Sequence, residues 1–410
     1  MNSEMFLDVY GHSPTVRVFC PGHLNLIGEQ IAEHGFPTIS MATDTGTEIL
    51  AAVNDRAEIC IKNTDEEYKP CTMHLPTDWN GTTCPEWFDY LLAGWKGVVE
   101  RLKTDAIGFD ILMEGCIPSS MGLSSSSSII CAAALTTWAI HTGQQFDTIS
   151  REELATLCAN AEQYVGQRGD RTIHLTQVLG CENMAVRFDY YPLRPRLVAM
   201  PPIAVFDVLN CGEKHNTPPF LREQRFAEGL IAGKLLLKNA GKACIYSRLK
   251  DVQEALAKRS EEMITLCATL PETATREELL GILEPQDLDE CLAEGVDYAT
   301  PFKLRSVARH VFSEALRVEK FERACETRDL FEMGKVFNES HDSCRRDFEC
   351  SSKAADRLVA ECRMARAYGA RVSGYSGTVV ALIDDIRPVY LGDNLIYHAF
   401  SSPGASIEFL

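Results

Sequence analysis

The chain has 410 residues, 45% of them apolar and 24% charged, and a net charge of −18. That length exceeds one compact core and predicts two or three domains. The charge argues against nucleic acid or an anionic membrane as the main partner, and leaves room for a local phosphate pocket.

The 16 cysteines are scattered without a CxxC pair, which predicts reduced thiols in a cytoplasmic protein. The opening "MNSEMFLDVYGH" lacks a basic segment followed by an apolar one. No apolar run reaches the ~18 residues of a membrane span. Neither a signal peptide nor a membrane segment is expected.

In chain order, "TVRVF" reads as a strand stopped by the Pro21-Gly22 pair. A loop, "HLNLIGEQIAEHG", follows. It carries Glu29, Gln30 and Glu33, and its only basic side chains are His23 and His34. "EILAAV" is a strand, "WFDYLLAGWKGVVERL" an amphipathic helix and "IGFDILME" a strand entering the turn "GCIPSSMG". A serine run leads into the helix "SIICAAALTTWAI". Ser150 and Glu153 form a capping box for a helix with the stripe Leu154, Leu157, Cys158, Ala161 and Val165. "IAVFDVLN" is a buried strand. A soft domain boundary is expected near the Pro-rich "YYPLRPRLVAMPP". Beyond about residue 221 the pattern is mostly helical, with "REQRFAEGLIAGKLLLK", a Thr275–Glu278 cap and "FKLRSVARHVFSEALRVEKFERAC". A turn between helix and strand, "ARVSGYSGTVVALID", comes near the end.

The most informative stretch is "IPSSMGLSSSSS". Gly122 and small serines let backbone N–H groups approach a ligand, and the following helix aims its positive end at it, as chains do when they bind phosphate. A flexible linker would not separate an apolar strand from an apolar helix.

Pro118 to Ser127 resembles the P-x-x-x-G-L-x-S-S-[AS] phosphate loop of GHMP small-molecule kinases. "PGHLNLIGEQ" resembles the galactokinase signature P-G-R-V-N-L-I-G-E-H. "FKLRSVARHVFSEALRV" and "NESHDSCRRDFECSS" resemble two further galactokinase segments. "AVRFDYYPLR" and "LREQRFAEGLIAGKLLL" are similar to the N-acetylgalactosamine kinase branch. The likeness runs from about Val16 to Leu382.

The resemblance implies an α+β, two-domain GHMP kinase fold with a nucleotide cleft between the domains. Residues 1–204 would form an N-terminal ribosomal-S5-like α/β domain, and residues 205–410 a C-terminal ferredoxin-like domain. ATP phosphates would lie on Pro118, Gly122, Leu123, Ser124, Ser125, Ser126 and Ser127. Mg²⁺ would be held by Ser126 and Glu162.

The chemical groups depart from the family. Its catalytic Asp, from a segment like G-G-G-M-D-Q, becomes Ile173, and the neighbouring Gln becomes His174. The supporting Arg becomes His23, the sugar-binding acid becomes Ala32, and the family His becomes Gln30. Glu29 survives. The Gly-rich loop near Gly374 shrinks to "SGYSG". Losing a general base costs ~10²- to 10⁴-fold, and losing a cation on the transferring phosphoryl costs more. The sequence therefore predicts a galactokinase-like protein that binds Mg-ATP with impaired sugar phosphotransfer, and a protein partner if its role is regulatory. The alternative is an active kinase for galactose, N-acetylgalactosamine or another small hydroxyl compound, with His23, Asp170 or His174 as substitute base.

Overall fold

The computed structural model describes residues 1–117, 122–213, 220–245, 248–292, 296–297, 299–374, 377–386, 389 and 391–410. Its strands are β1 (Val16–Ile27), β2 (Thr38–Val53), β3 (Glu58–Asn63), β4 (Cys71–His74), β5 (Phe109–Gly115), β6 (Met184–Asp189), β7 (Arg194–Ala199), β8 (Ala204–Asn210), β9 (Thr273–Ala274), β10 (Phe302–Lys303), β11 (Gly369–Ser373), β12 (Thr378–Asp384), β13 (Leu395–Ala399) and β14 (Ser406–Phe409). The architecture is α+β. By its contacts the chain divides into two compact units. One comprises Met1–Leu24, Met41–Val186 and Phe400–Leu410, and the other Asn25–Ser40 and Arg187–Ala399. Against the single division expected after residue 204, the units interleave along the sequence. The physical cause in the first unit is the C-terminal strand, which returns to pair with the first: Val16 lies opposite Phe409 and Phe19 opposite Ser406. The Pro-rich stretch expected as a boundary holds β7, which pairs with β6.

In the first unit the sheet runs β14-β1-β2-β5-β3-β4, and β6 joins β2. β1 is a correction to the sequence reading, because Pro21-Gly22 does not stop it. A Cβ at Gly22 would lie 2.6 Å from Thr43 Oγ1. The glycine serves close approach to a neighbouring strand rather than a turn. The Ser125–Thr142 helix is apolar nearly all round and correspondingly buried. Gly94, on the Trp87–Leu102 helix, presses against it so closely that a Cβ would sit 2.3 Å from Ile130 O. The Ser150–Glu153 capping box forms as expected, at the head of the Arg151–Ala161 helix.

The second unit is built on the antiparallel sheet β11-β12-β8-β13 and the long Leu304–Glu326 helix, whose buried face includes Val307, Val311, Phe312 and Phe321. The Leu330–Ser343 helix touches the sheet backbone to backbone. A Cβ on Gly334 would meet Tyr368 O at 2.2 Å, and one on Gly369 would meet Gly334 O at 1.9 Å. Gly334→Ala is therefore expected to cost at least about 1–3 kcal/mol, the usual range for overpacking. An unchanged urea midpoint would contradict that packing. No helix among the described residues is long and apolar enough to cross a membrane. All 16 cysteines are free thiols.

Candidate functional site

The first unit carries the serine loop. Gly122 has φ +67°, and Ser124, at φ +57°, caps a helix that begins at Ser125. Most of the serine run is thus the first turn of the helix. Successive helical residues point about 100° apart, so the serines face different ways. Ser128 Oγ lies 2.8 Å from Cys20 O and 2.9 Å from Thr47 Oγ1. Ser127 Oγ donates to Glu162 Oε1 at 2.7 Å. Ser125 and Ser126 line a cavity of about 690 Å³ whose wall includes Asn63, Tyr68, Trp87 and Tyr90. The serine that meets Glu162 is therefore Ser127, one residue beyond the Ser126 expected from sequence. Leu123 is buried, and its carbonyl accepts from His23 N at 3.1 Å. Pro118 lies outside the described residues.

Of the positions expected to be replaced, His23, Ile173 and His174 lie in the same unit, and Gln30 and Ala32 in the other. His174 is fully buried, and its Nε2 lies 2.9 Å from the same Glu162 Oε1. Burial disfavours its charge, but hydrogen bonds with Cys131 and Glu162 outweigh that and push the imidazole up to about 9. His23 goes the other way. Burial is the main cause, and with His174 nearby it lowers the imidazole to about 4 despite Asp170. Asp170 is exposed and caps the Arg171–Leu179 helix, where its Oδ1 accepts from Thr172 N and Oγ1 at 2.8 and 2.7 Å. Ile173 is half-buried in that helix's first turn and offers no proton acceptor. His23 Nδ1 and Gln177 Oε1 are buried without a hydrogen-bond partner.

In the second unit, Glu29 is 4% exposed. Its Oε2 meets Arg371 Nη2 at 2.5 Å and Gly374 N at 3.2 Å, and its Oε1 accepts from Gln30 Nε2 at 3.0 Å. Arg371 is fully buried and also donates to Asn25 O and Leu26 O. The cation that the opening loop lacks is thus supplied from β11, some 340 residues on in sequence. Glu314 Oε1 accepts from Gly28 N and Glu29 N, both at 3.1 Å, while its Oε2 takes Arg317 Nε at 2.6 Å. Burial would raise the Glu314 carboxyl, but Arg317, His310 and Arg371 hold it down at about 2. His310 Nε2 reaches Glu29 O at 2.9 Å. Ala32 opens a short 3-10 turn. Glu33 is exposed and ion-paired with Arg222 at 2.8 Å. Gly374 adopts φ +62° with open space around it, while Tyr375 and Ser376 of the shortened loop lie outside the described residues.

Sequence reasoning missed Arg371, Glu314 and the aromatic wall of the cavity. Arg371 had a local signal, an arginine inside a β-rich run just before a glycine turn. Tyr68 and Trp87 had none, because the loop after β3 and the head of the Trp87–Leu102 helix meet only in the folded chain.

The second unit also sets the response to acid. Burial, reinforced by His310, lowers His34 to about 3. Burial, reinforced by Arg363, lowers His341 to about 3. Both lie below the ordinary 6.5, so between pH 6.5 and 3 the unfolded chain binds protons that the fold refuses, and stability rises with pH. The contribution of these two histidines is expected to be full above about pH 6.5 and to fall by on the order of several kcal/mol toward pH 4. Chemical denaturation at pH 7.5, 6, 5 and 4 tests this, and a flat profile would be the contrary result.

The mixed sheets, the serine helix cap and the paired compact units make up the fold of the GHMP kinases. The GHMP kinases N terminal domain model matches residues 90–173, and the galactokinase galactose-binding signature matches residues 4–53. The chain is 28% identical to the galactokinase of Dictyostelium discoideum, over 97% of this chain and 87% of that one. In structure it is similar to Lactococcus lactis galactokinase complexed with galactose, at TM-score 0.72 and 20% identity, covering 98% of each chain. It is also similar to Methanococcus jannaschii mevalonate kinase, at TM-score 0.61 and 15% identity, covering 95% of this chain and 99% of that one. By these matches the chain has the GHMP kinase fold and is similar over nearly its whole length to galactokinases.

Proposed function

We propose that this chain is a galactokinase-like, ATP-binding cytoplasmic protein in which sugar 1-phosphotransfer is impaired, a pseudokinase whose regulatory role would require a protein partner. The observation that carries the reading is Ile173. It is an apolar side chain on the first turn of its helix, at the position that the resemblance aligns with the family's base. The nearby substitutes are poorly suited. Asp170 caps the helix, and His23, lowered to about 4, is a weak base at neutral pH. Galactose or N-acetylgalactosamine would also meet Ala32 in place of an acid. Its hydroxyls would lose charge-assisted hydrogen bonds.

The nucleotide half is better supported. The cavity beside Ser125 and Ser126 carries Trp87, Tyr68 and Tyr90 against which a base can pack, with Asn63 and Asp65 for polar contacts. The triphosphate would take the N–H groups at the head of the Ser125–Thr142 helix. Mg²⁺ fits less well. It demands oxygen ligands in near-octahedral array, whereas Glu162 Oε1 already accepts from Ser127 and His174.

The test is thermal shift. ATP at ~100 times its Kd is expected to stabilise the fold by about 2.7 kcal/mol. Trp87→Ala, which trims the cavity wall, is expected to weaken that shift. Absence of any shift at millimolar ATP, with or without Mg²⁺, in protein shown to be folded, would rule out nucleotide binding.

A further inference from the structure

We propose that the serine loop takes a nucleoside triphosphate without a divalent cation, with the His174 N–H standing on Glu162 where a metal would stand. The inference rests on the nucleotide reading above and goes beyond it to the form of the ligand. Glu162 is the carboxylate through which the family resemblance would bring a metal to this loop. It is 5% exposed, and its Oε1 receives two donors, Ser127 Oγ at 2.7 Å and His174 Nε2 at 2.9 Å. Both groups that would flank a metal, a serine hydroxyl and a glutamate oxygen, are thus joined directly to each other. The imidazole completes the set.

His174 is not free to swing aside. It is fully buried, and the four residues after it on the Arg171–Leu179 helix, Leu175, Thr176, Gln177 and Val178, are buried as well. Its Nε2 can donate to Glu162 whether or not the ring is charged, so the contact does not depend on protonation. A hard divalent cation would have to displace a nitrogen donor from a buried carboxylate and would gain in exchange a nitrogen ligand that Mg²⁺ disfavours. Meanwhile the loop retains what phosphate needs without metal. The N-terminus of an 18-residue helix is present. Serine hydroxyls are present at Ser125 and Ser126. One buried imidazole nitrogen, His23 Nδ1, has no protein partner. Burying an unpaired polar atom is costly, and a phosphate oxygen would satisfy one that carries a proton.

Isothermal titration of the full chain with ATP in EDTA, and with ATP plus excess MgCl₂, tests the inference. The expected result is a Kd that agrees between the two within about threefold. In His174→Ala, which frees Glu162 and Ser127 for a cation, Mg²⁺ is expected to tighten ATP binding about tenfold or more. Wild-type binding at least tenfold weaker in EDTA would overturn the inference and leave the nucleotide reading standing. Binding in neither condition would overturn both. Metal-independent binding that persists in folded His174→Ala would overturn the role given to His174. The wild-type comparison decides the main point even if that variant does not fold.

Discussion

Arg371→Ala is expected to lower the unfolding free energy by about 3–5 kcal/mol, the cost of breaking a buried ion pair by removing one partner. Arg371 is among the largest fully buried side chains in the protein. Its guanidinium joins the Glu29 carboxylate to the carbonyls of Asn25 and Leu26. Removing it strands a carboxylate that is 4% exposed and leaves two backbone acceptors without their donor. Arg371→Lys keeps the charge but not the planar fork, so it is expected to recover only part of the loss. Arg371→Met with Glu29→Gln removes both charges, and is expected to be less destabilised than the sum of the two single changes. Urea unfolding of the five variants, the two single changes of that pair included, measures this. A loss under about 1 kcal/mol in Arg371→Ala would show that the pair does not hold the loop.

On the proposed reading, phosphorylation of galactose and of N-acetylgalactosamine by the wild-type chain is expected to be absent or at least ~10³-fold below that of an intact relative, because the resemblance aligns base, arginine and sugar acid with Ile173, His23 and Ala32. Single restorations are expected to do little. Ile173→Asp alone adds a carboxylate to a site that lacks its cation and its sugar anchor. Ile173→Asp combined with His23→Arg and Ala32→Asp is expected to exceed the product of the single effects, since groups that act together are not additive. Each restored group has an obstacle. Position 23 is buried, so a guanidinium there must find partners. His174 beside position 173 holds Glu162. Wild-type turnover near 1 s⁻¹, an ordinary kinase value, would sink the impaired reading and make His23, Asp170 and His174 the next positions to change.

Much of this protein was legible locally. The serine run between an apolar strand and an apolar helix announced a phosphate-type helix cap. The Ser150–Glu153 box announced its helix, and Ile173, His23 and Ala32 could be set against the family pattern as expected departures. Those signals depend on neighbours within a few residues, and such interactions survive in any tertiary setting. Where the sequence reading stopped β1 at Pro21-Gly22, it applied a local turn rule to a pair whose glycine answers to Thr43 across the sheet. It also paired Ser126 with Glu162, where helix rotation selects Ser127.

What the sequence determined by itself was the helix-capping loop, and through the family resemblance it implied the fold class and the expectation that the catalytic side chains are replaced, all matters of residue identity at a position. What only the tertiary structure decided was who each remaining polar group faces. Glu29 proved to be bound by Arg371, and Glu162 by Ser127 and His174. Those pairings join residues from 12 to 342 positions apart. A buried carboxylate must find its donors wherever the packed chain delivers them, and no local pattern records that choice.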